Sequence, residues 1–262
     1  SFWNQNKDKF LLDPAESALS SNGGALGRNF DVAEADNSLY GMGTYQFTEQ
    51  LELVSGLRLT HTETKVVGAT YLASSKTVQP RSDKNDYWSV LPALHLTYRA
   101  DESTNYRLAL TRSFARPDFG SLTPGGSYLE ADNQFSSGNP ELSPTYANNL
   151  DLMVEYYFDR VGLVSAGLFY KDIQDPIFQA TSVGSYQGQA GVNLIRPENG
   201  ANANLSGIEL TLNRDFSFIS NALRDFGLNS NATFMRSAMK IPNRSDTVAI
   251  PRQADALYNL SF

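Results

Sequence analysis

The chain has no cysteine and only two histidines, His61 and His95. The first absence excludes disulfide frameworks and thiolate metal sites. Neither histidine belongs to a His-x-x-x-His pair or a carboxylate cluster with ligand spacing, so no metal site is expected. No apolar run approaches the roughly 18 residues a membrane helix needs, which leaves a closed barrel or a surface contact as the routes to a membrane. Lys and Arg are scattered and the formal net charge is -7, against the clustered basic surface that nucleic acid requires. The opening Ser1-Phe-Trp carries no initiator Met, basic n-region or apolar h-region, so the sequence reads as a piece of a longer chain.

What is present is alternation. Along Asn149-Leu-Asp-Leu-Met-Val-Glu-Tyr-Tyr-Phe158, the side chains of Leu150, Leu152, Val154, Tyr156 and Phe158 share one face. Asn149, Asp151, Met153, Glu155 and Tyr157 share the other, the period of two that marks a strand. The pattern predicts strands near 38–47, 51–62, 87–99, 104–114, 147–158, 161–172, 203–213, 225–236 and 254–262, about nine in all. Their connections alternate in length. Thr48-Glu-Gln50, Ala100-Asp-Glu-Ser103 and Asp159-Arg160 are tight, whereas 63–86, 115–146, 173–202 and 237–253 are long. Long connections at one end and short turns at the other fit a membrane barrel, since soluble sandwiches spread their loop lengths over both ends.

The two faces indicate which side is wet. Arg58, Arg107, Asp151, Glu155 and Glu209 put charge deep in the strands on the polar face, as a watery lumen allows, and are predicted to face it. The apolar face often ends in aromatics, at Tyr45, Phe47, Tyr98, Phe114, Tyr156 and Phe158, where amphipathic rings suit the lipid headgroup boundary. A soluble β-sandwich with core aromatics is the alternative reading of the same pattern.

Three ordered blocks resemble the barrel domain of TonB-dependent outer-membrane receptors: Arg112-Ser-Phe-Ala-Arg-Pro-Asp118, Gly138-Asn-Pro-Glu-Leu-Ser-Pro144 and Asn149 to Phe158. Leu57-Arg58, Tyr87-Trp-Ser-Val-Leu-Pro92, Gly167-Leu-Phe-Tyr-Lys-Asp172 and Asn204-Leu-Ser-Gly-Ile-Glu-Leu210 look like that family too, so the resemblance runs from about Asn37 onward. It implies an all-β chain forming part of a large antiparallel transmembrane β-barrel, about nine of 22 strands, seen alone as an open curved sheet. Residues 1–37 are then an extracellular loop, 38–262 the strands with their loops and turns, and the plug domain is absent. The implied function is active import of a scarce solute across the outer membrane: siderophore-bound iron, a cobalamin-like cofactor or an oligosaccharide. The implied partners are outer-membrane lipid, the receptor's own plug domain, the TonB complex and the solute. The early strands and the strands after Phe262 are then missing as well, although the closing Tyr258-Asn-Leu-Ser-Phe262 also looks like a terminal aromatic strand.

Pro117, Pro140 and Pro144 fit strand exits and loop entry. Pro92 interrupts a good strand, tolerable at a bulge or near the rim, and Gly207 is expected to permit a bulge or close strand approach. No catalytic residue and no cofactor is expected. Asp151 and Glu155 lie roughly 13 Å apart along a strand, too far for a glycosidase pair. Ser113, Ser165 and Ser206 lack a Gly-x-Ser-x-Gly setting. The 119–139 loop mixes Gly, Ser, Asp, Asn and aromatics, a composition suited to stacking on and hydrogen bonding to a ligand. Arg116, Asp118, Tyr128, Asp132 and Gln134 are the candidate ligand contacts. A passive porin and a soluble carbohydrate-binding sandwich are the rival functions.

Overall fold

The computed structural model describes residues 30–72, 77–158, 162–241 and 246–262. The Asp159-Arg160 turn and all but the end of the 1–37 segment lie outside them. Among the described residues the main sheet is built from β1 (Asp31–Gln46), β2 (Leu51–Leu72), β3 (Thr77–Arg99), β4 (Thr104–Ala115), β7 (Thr145–Tyr157), β8 (Gly162–Gln174), β11 (Ala203–Asp215), β12 (Gly227–Lys240), β13 (Thr247–Val248) and β14 (Ala256–Ser261). It is antiparallel and open, in the order β1-β2-β3-β4-β7-β8-β11-β12, with β13 and β14 pairing β12 at different heights. The nine expected strands are all there. The only extra member of this sheet is the two-residue β13.

Cross-strand register carries the alternation across the whole sheet. Tyr45, Leu53, Leu96, Leu108, Leu152, Leu168, Ile208, Phe234 and Ala256 are paired in turn, an unbroken apolar row. Among the described residues nothing packs over it, and Leu152 and Leu168 stay 45% and 54% exposed. One residue along, the row Gln46, Glu52, Thr97, Arg107, Met153, Gly167, Glu209 and Thr233 faces the other way. A soluble sandwich would bury the first row and expose the second, so the sandwich reading is set aside.

Strand lengths depart from expectation at the long-loop end. β2 and β3 run 22 and 23 residues, about twice the 9–11 a tilted membrane strand needs, so most of the 63–86 connection is a projecting ladder. β1 accompanies it from Asp31, within the stretch expected to be loop. The 115–146 and 173–202 connections also contain strands. β5 (Gly126–Leu129), β6 (Gln134–Ser137), β9 (Ile177–Tyr186) and β10 (Gln189–Asn199) form a separate four-stranded sheet in the order β5-β6-β10-β9, with β6 and β10 parallel.

β4 pairs with β3 only as far as Ala93 and Thr111, and beyond that point β4 and β7 cross the inner face of the projecting ladder. The small core lies there: Val66 of β2 against Leu122 and Leu142 of the 115–146 segment, with Phe30, Val32 and Ile177 around them. This geometry explains Pro92, which sits one residue past the last β3–β4 pair. Its missing N–H falls where the strand loses its second neighbour. It also corrects Phe114. The ring is not at a lipid boundary but lies 6.0 Å from Tyr146, with the Arg116 guanidinium 5.0 Å from its centre. At Gly207 the close strand approach holds and the bulge does not: register runs through it unbroken on either side, and an added Cβ would lie 2.3 Å from the Phe234 carbonyl oxygen of the next strand. It would also lie 2.5 Å from the Phe169 ring, so the glycine makes room for both the neighbouring backbone and that ring.

Candidate functional site

The site has two parts, the polar inner face of the wall and the loop sheet at its mouth. On the wall, Arg107 donates to Glu155 at 2.9 Å and reaches Thr97 Oγ1 at 3.4 Å, and Tyr157 donates to the same Glu155 oxygen at 3.0 Å. The Glu155 side chain is only 11% exposed. Arg99 pairs with Glu52 at 3.2 Å. Higher up, Asn149 donates to Thr111 and Ser113 at 3.1 and 3.2 Å and accepts from Lys171 at 3.2 Å. Arg58 donates to Thr60 and Ser38 at 3.2 and 3.0 Å. Arg58, Arg107, Asp151, Glu155 and Glu209 thus share one face in the register, with Asp151 half-buried and Glu209 exposed.

Removing Arg107 strands a nearly buried carboxylate. Because the guanidinium is itself 45% exposed, the expected cost of Arg107→Leu is about 1–3 kcal/mol rather than the full penalty of a dry ion pair. The Arg107→Leu/Glu155→Leu pair is expected to recover most of it. Denaturant titration of the two variants in one detergent checks this, and equal losses would remove the ion pair from the account.

At the mouth, the 115–146 segment is tied down on the projecting ladder. Arg116 lies 3.6 Å from Glu34 and also pairs with Asp36, both on β1. Asp36 in turn accepts from Thr62 at 2.6 Å. The Tyr146 hydroxyl meets Ser89 at 2.8 Å, and Asn85 donates to the Leu142 carbonyl at 3.1 Å. These contacts seal Thr60, Thr62 and Ser89, so polar residues that look lumenal in sequence lie under the loop.

The second long connection is stitched to the first. Asn139 donates to the Pro197 carbonyl at 3.0 Å, Asn133 to the Gly191 carbonyl at 2.9 Å, and Asn199 to the Ser143 and Asp175 carbonyls at 3.0 and 2.9 Å. Tyr186 of β9 stacks 4.0 Å from Phe135 and 5.6 Å from Tyr128, so three rings bridge the two loops. Gly126 leaves room for Phe135, whose ring would lie 2.4 Å from an added Cβ. Sequence reasoning missed Asn133, Asn139, Phe135, Tyr186 and Asn199. The turn preference of Asn was the available signal, and Asn133 does adopt a positive φ of 47°.

Burial pushes the Tyr186 phenol above its ordinary range. A raised acid pKa means that its contribution is whole below about pH 10 and is lost as pH climbs through the folded value. The β9–β10 amides are therefore expected to keep their protection to about pH 10 and lose it above. Tyr186→Phe should keep that protection to higher pH, as hydrogen exchange against pH would show.

The candidate contacts divide. Arg116 is spent on Glu34 and Asp36, and Asp118 caps the short 3-10 turn Phe119–Leu122 by accepting from Ser121. Tyr128 donates to Asn133 at 2.8 Å, and Gln134 bonds Ser136 within its own strand at 3.0 Å. Asp132 is exposed in the turn Glu130–Asp132. The structure places Tyr128 and Gln134 at the same end of β5–β6, Tyr128 opposite Phe135 and Gln134 opposite Leu129, and Arg116 and Asp118 on the supporting side of the loop.

An antiparallel wall with a greasy outer face, a charged inner face, short turns at one end and folded loops at the other defines a segment of an outer-membrane β-barrel. The family model described as TonB dependent receptor-like, beta-barrel matches residues 1–261, and the chain belongs to that family. Its place is therefore the outer membrane. Among solved structures it is similar to the ferric-catecholate import receptor Fiu of E. coli K12, at 17% identity and TM-score 0.64 over 89% of this chain and 32% of that one. It is similar to the siderophore receptor PiuA of Acinetobacter baumannii, at 17% identity and TM-score 0.61 over 88% and 31%. The Serratia marcescens hemophore receptor HasR in complex with HasA and heme gives 16% identity and TM-score 0.60 over 86% and 39%. The chain thus spans about a third of the length of these structures. A search of the curated proteins found no match.

Proposed function

We propose that this wall belongs to a receptor that actively imports a scarce solute, with energy supplied through TonB and the path opened by rearrangement of a plug domain. The observation that supports it most is the joining of two long connections into one folded sheet at the mouth, which favours a built capture surface over a simple open pore. Tyr128, Asp132 and Gln134 are proposed to touch the solute, and Arg116 and Asp118 to hold their loop in place. Arg58, Arg107, Asp151, Glu155 and Glu209 are proposed to line the wet inner wall against which the plug and the passing solute move. Siderophore-bound iron, a cobalamin-like cofactor and an oligosaccharide are the solute classes considered. A ferric siderophore is the first to test, being the class for which Fiu and PiuA are named.

The test is uptake by cells whose only relevant receptor is the full-length protein. Accumulation that needs an intact TonB system and saturates at low solute concentration is the expected result. Uptake that is linear in concentration and indifferent to TonB would mean a passive porin.

A further inference from the structure

One turn at the short-turn end is unlike its neighbours. Thr48-Glu-Gln50 and Ala100-Asp-Glu-Ser103 are polar, and Asp101 closes the second by accepting from the Ser103 and Thr104 amides at 2.8 Å. The β11–β12 connection instead reads Phe216-Ser-Phe-Ile-Ser-Asn-Ala-Leu-Arg-Asp-Phe226. Its large apolar side chains are not tucked away: Phe218, Ile219 and Phe226 are 56%, 63% and 64% exposed.

The register says which way they face. Ile208, Leu210 and Leu212 lie on the lipid-side rows, so Arg214, paired with Leu228, continues that face, and the Phe216 amide bonds to the Phe226 carbonyl one step further out. The Arg214 guanidinium is held between two rings, 4.1 Å from the centre of Phe158 and 4.0 Å from that of Phe218. Phe158 follows Tyr156 on the apolar face, so the contact draws the turn to the outside of the wall. Aromatic rings and a cation at the edge of an apolar band match the chemistry of a phospholipid headgroup layer, where rings sit at the boundary and the cation meets phosphate.

We propose that residues 216–226 form a foot that rests in the periplasmic leaflet of the outer membrane, with Phe218, Ile219 and Phe226 immersed at headgroup depth and Arg214 at the phosphate level. The foot extends the lipid-facing band past the end of the strands and fixes the depth of the wall at this point. These 262 residues contain no cysteine, so single reporters are placed here after any cysteine elsewhere in the full-length receptor is changed to serine. Bimane is attached at Ile219→Cys, and for comparison at Glu102→Cys in the polar turn, in the full-length receptor reconstituted in vesicles of phosphatidylethanolamine and phosphatidylglycerol. Lipid brominated high on the acyl chain should quench the 219 label several-fold more than the 102 label, and aqueous iodide should do the reverse. Equal iodide quenching at both positions would overturn the proposal by placing the foot in water. Protection of 219 from both quenchers would overturn it by showing that protein covers the turn.

Discussion

Replacing Leu152 and Ile208 together by arginine is expected to abolish accumulation of the receptor in the outer membrane, whereas Thr233→Arg should leave it unchanged. Leu152 and Ile208 lie two strands apart in the central apolar row, with Leu168 between them. A cation on the lipid side near mid-depth costs roughly 2–4 kcal/mol in a β-barrel, and two such sites separated by a strand add to roughly 4–8 kcal/mol. That is comparable with the whole stability of many folded domains. Thr233 is directly opposite Glu209 on the inner face, where an arginine stays wet and gains an opposite charge. Quantifying the variants in isolated outer membranes checks both halves, and equal loss from Thr233→Arg would mean that the two faces do not differ.

Gly207→Val is expected to cost about 3 kcal/mol or more. Its Cβ would lie 2.3 Å from the Phe234 carbonyl oxygen and 2.5 Å from the Phe169 ring, so the added side chain must displace both a neighbouring strand and an aromatic. Overpacking of this kind typically costs about 1–3 kcal/mol, and the backbone clash adds to it. Phe169→Ala in the same background removes the ring but not the carbonyl, so rescue should be partial. Unfolding in a single detergent measures it. Full rescue would assign the whole cost to the ring, and no loss in Gly207→Val would mean that the strands separate there without penalty.

The wall was legible because one face is apolar and the other polar, so the period of two survives in the letters. Where that contrast ends, so did the reading. Above Val90, the outward side chains of β2 and β3 are His61, Glu63, Lys65, Lys84, Asp86 and Trp88, while the inward ones are Thr62, Thr64, Asn85 and Tyr87. Val66 and Trp88 apart, both faces are polar, so the hydrophobic alternation vanishes and the projecting ladder reads as a loop. The sheet at the mouth was hidden for another reason: β5 and β6 are four residues each, and β6 pairs in parallel with a strand more than fifty residues away. No local pattern encodes such a pairing.

The candidate contacts show the same division. Composition picked out the loop, and it does lie in the assembly at the mouth. Composition does not say which polar groups are already partnered, and Arg116 and Asp118 are. Parity alone puts Phe114 at a lipid boundary. Parity holds only while a strand stays in the wall, and β4 has left β3 by then.

The most direct measurement is a spin-label scan of positions 150 to 155 in the full-length receptor in lipid bilayers, comparing collision with oxygen, which concentrates in lipid, and with a water-soluble nickel chelate. Oxygen accessibility peaking at 150, 152 and 154, with low values at 151, 153 and 155, is the predicted result. Peaks at the odd positions, or no alternation, would contradict an outward greasy face and with it a barrel wall set in lipid.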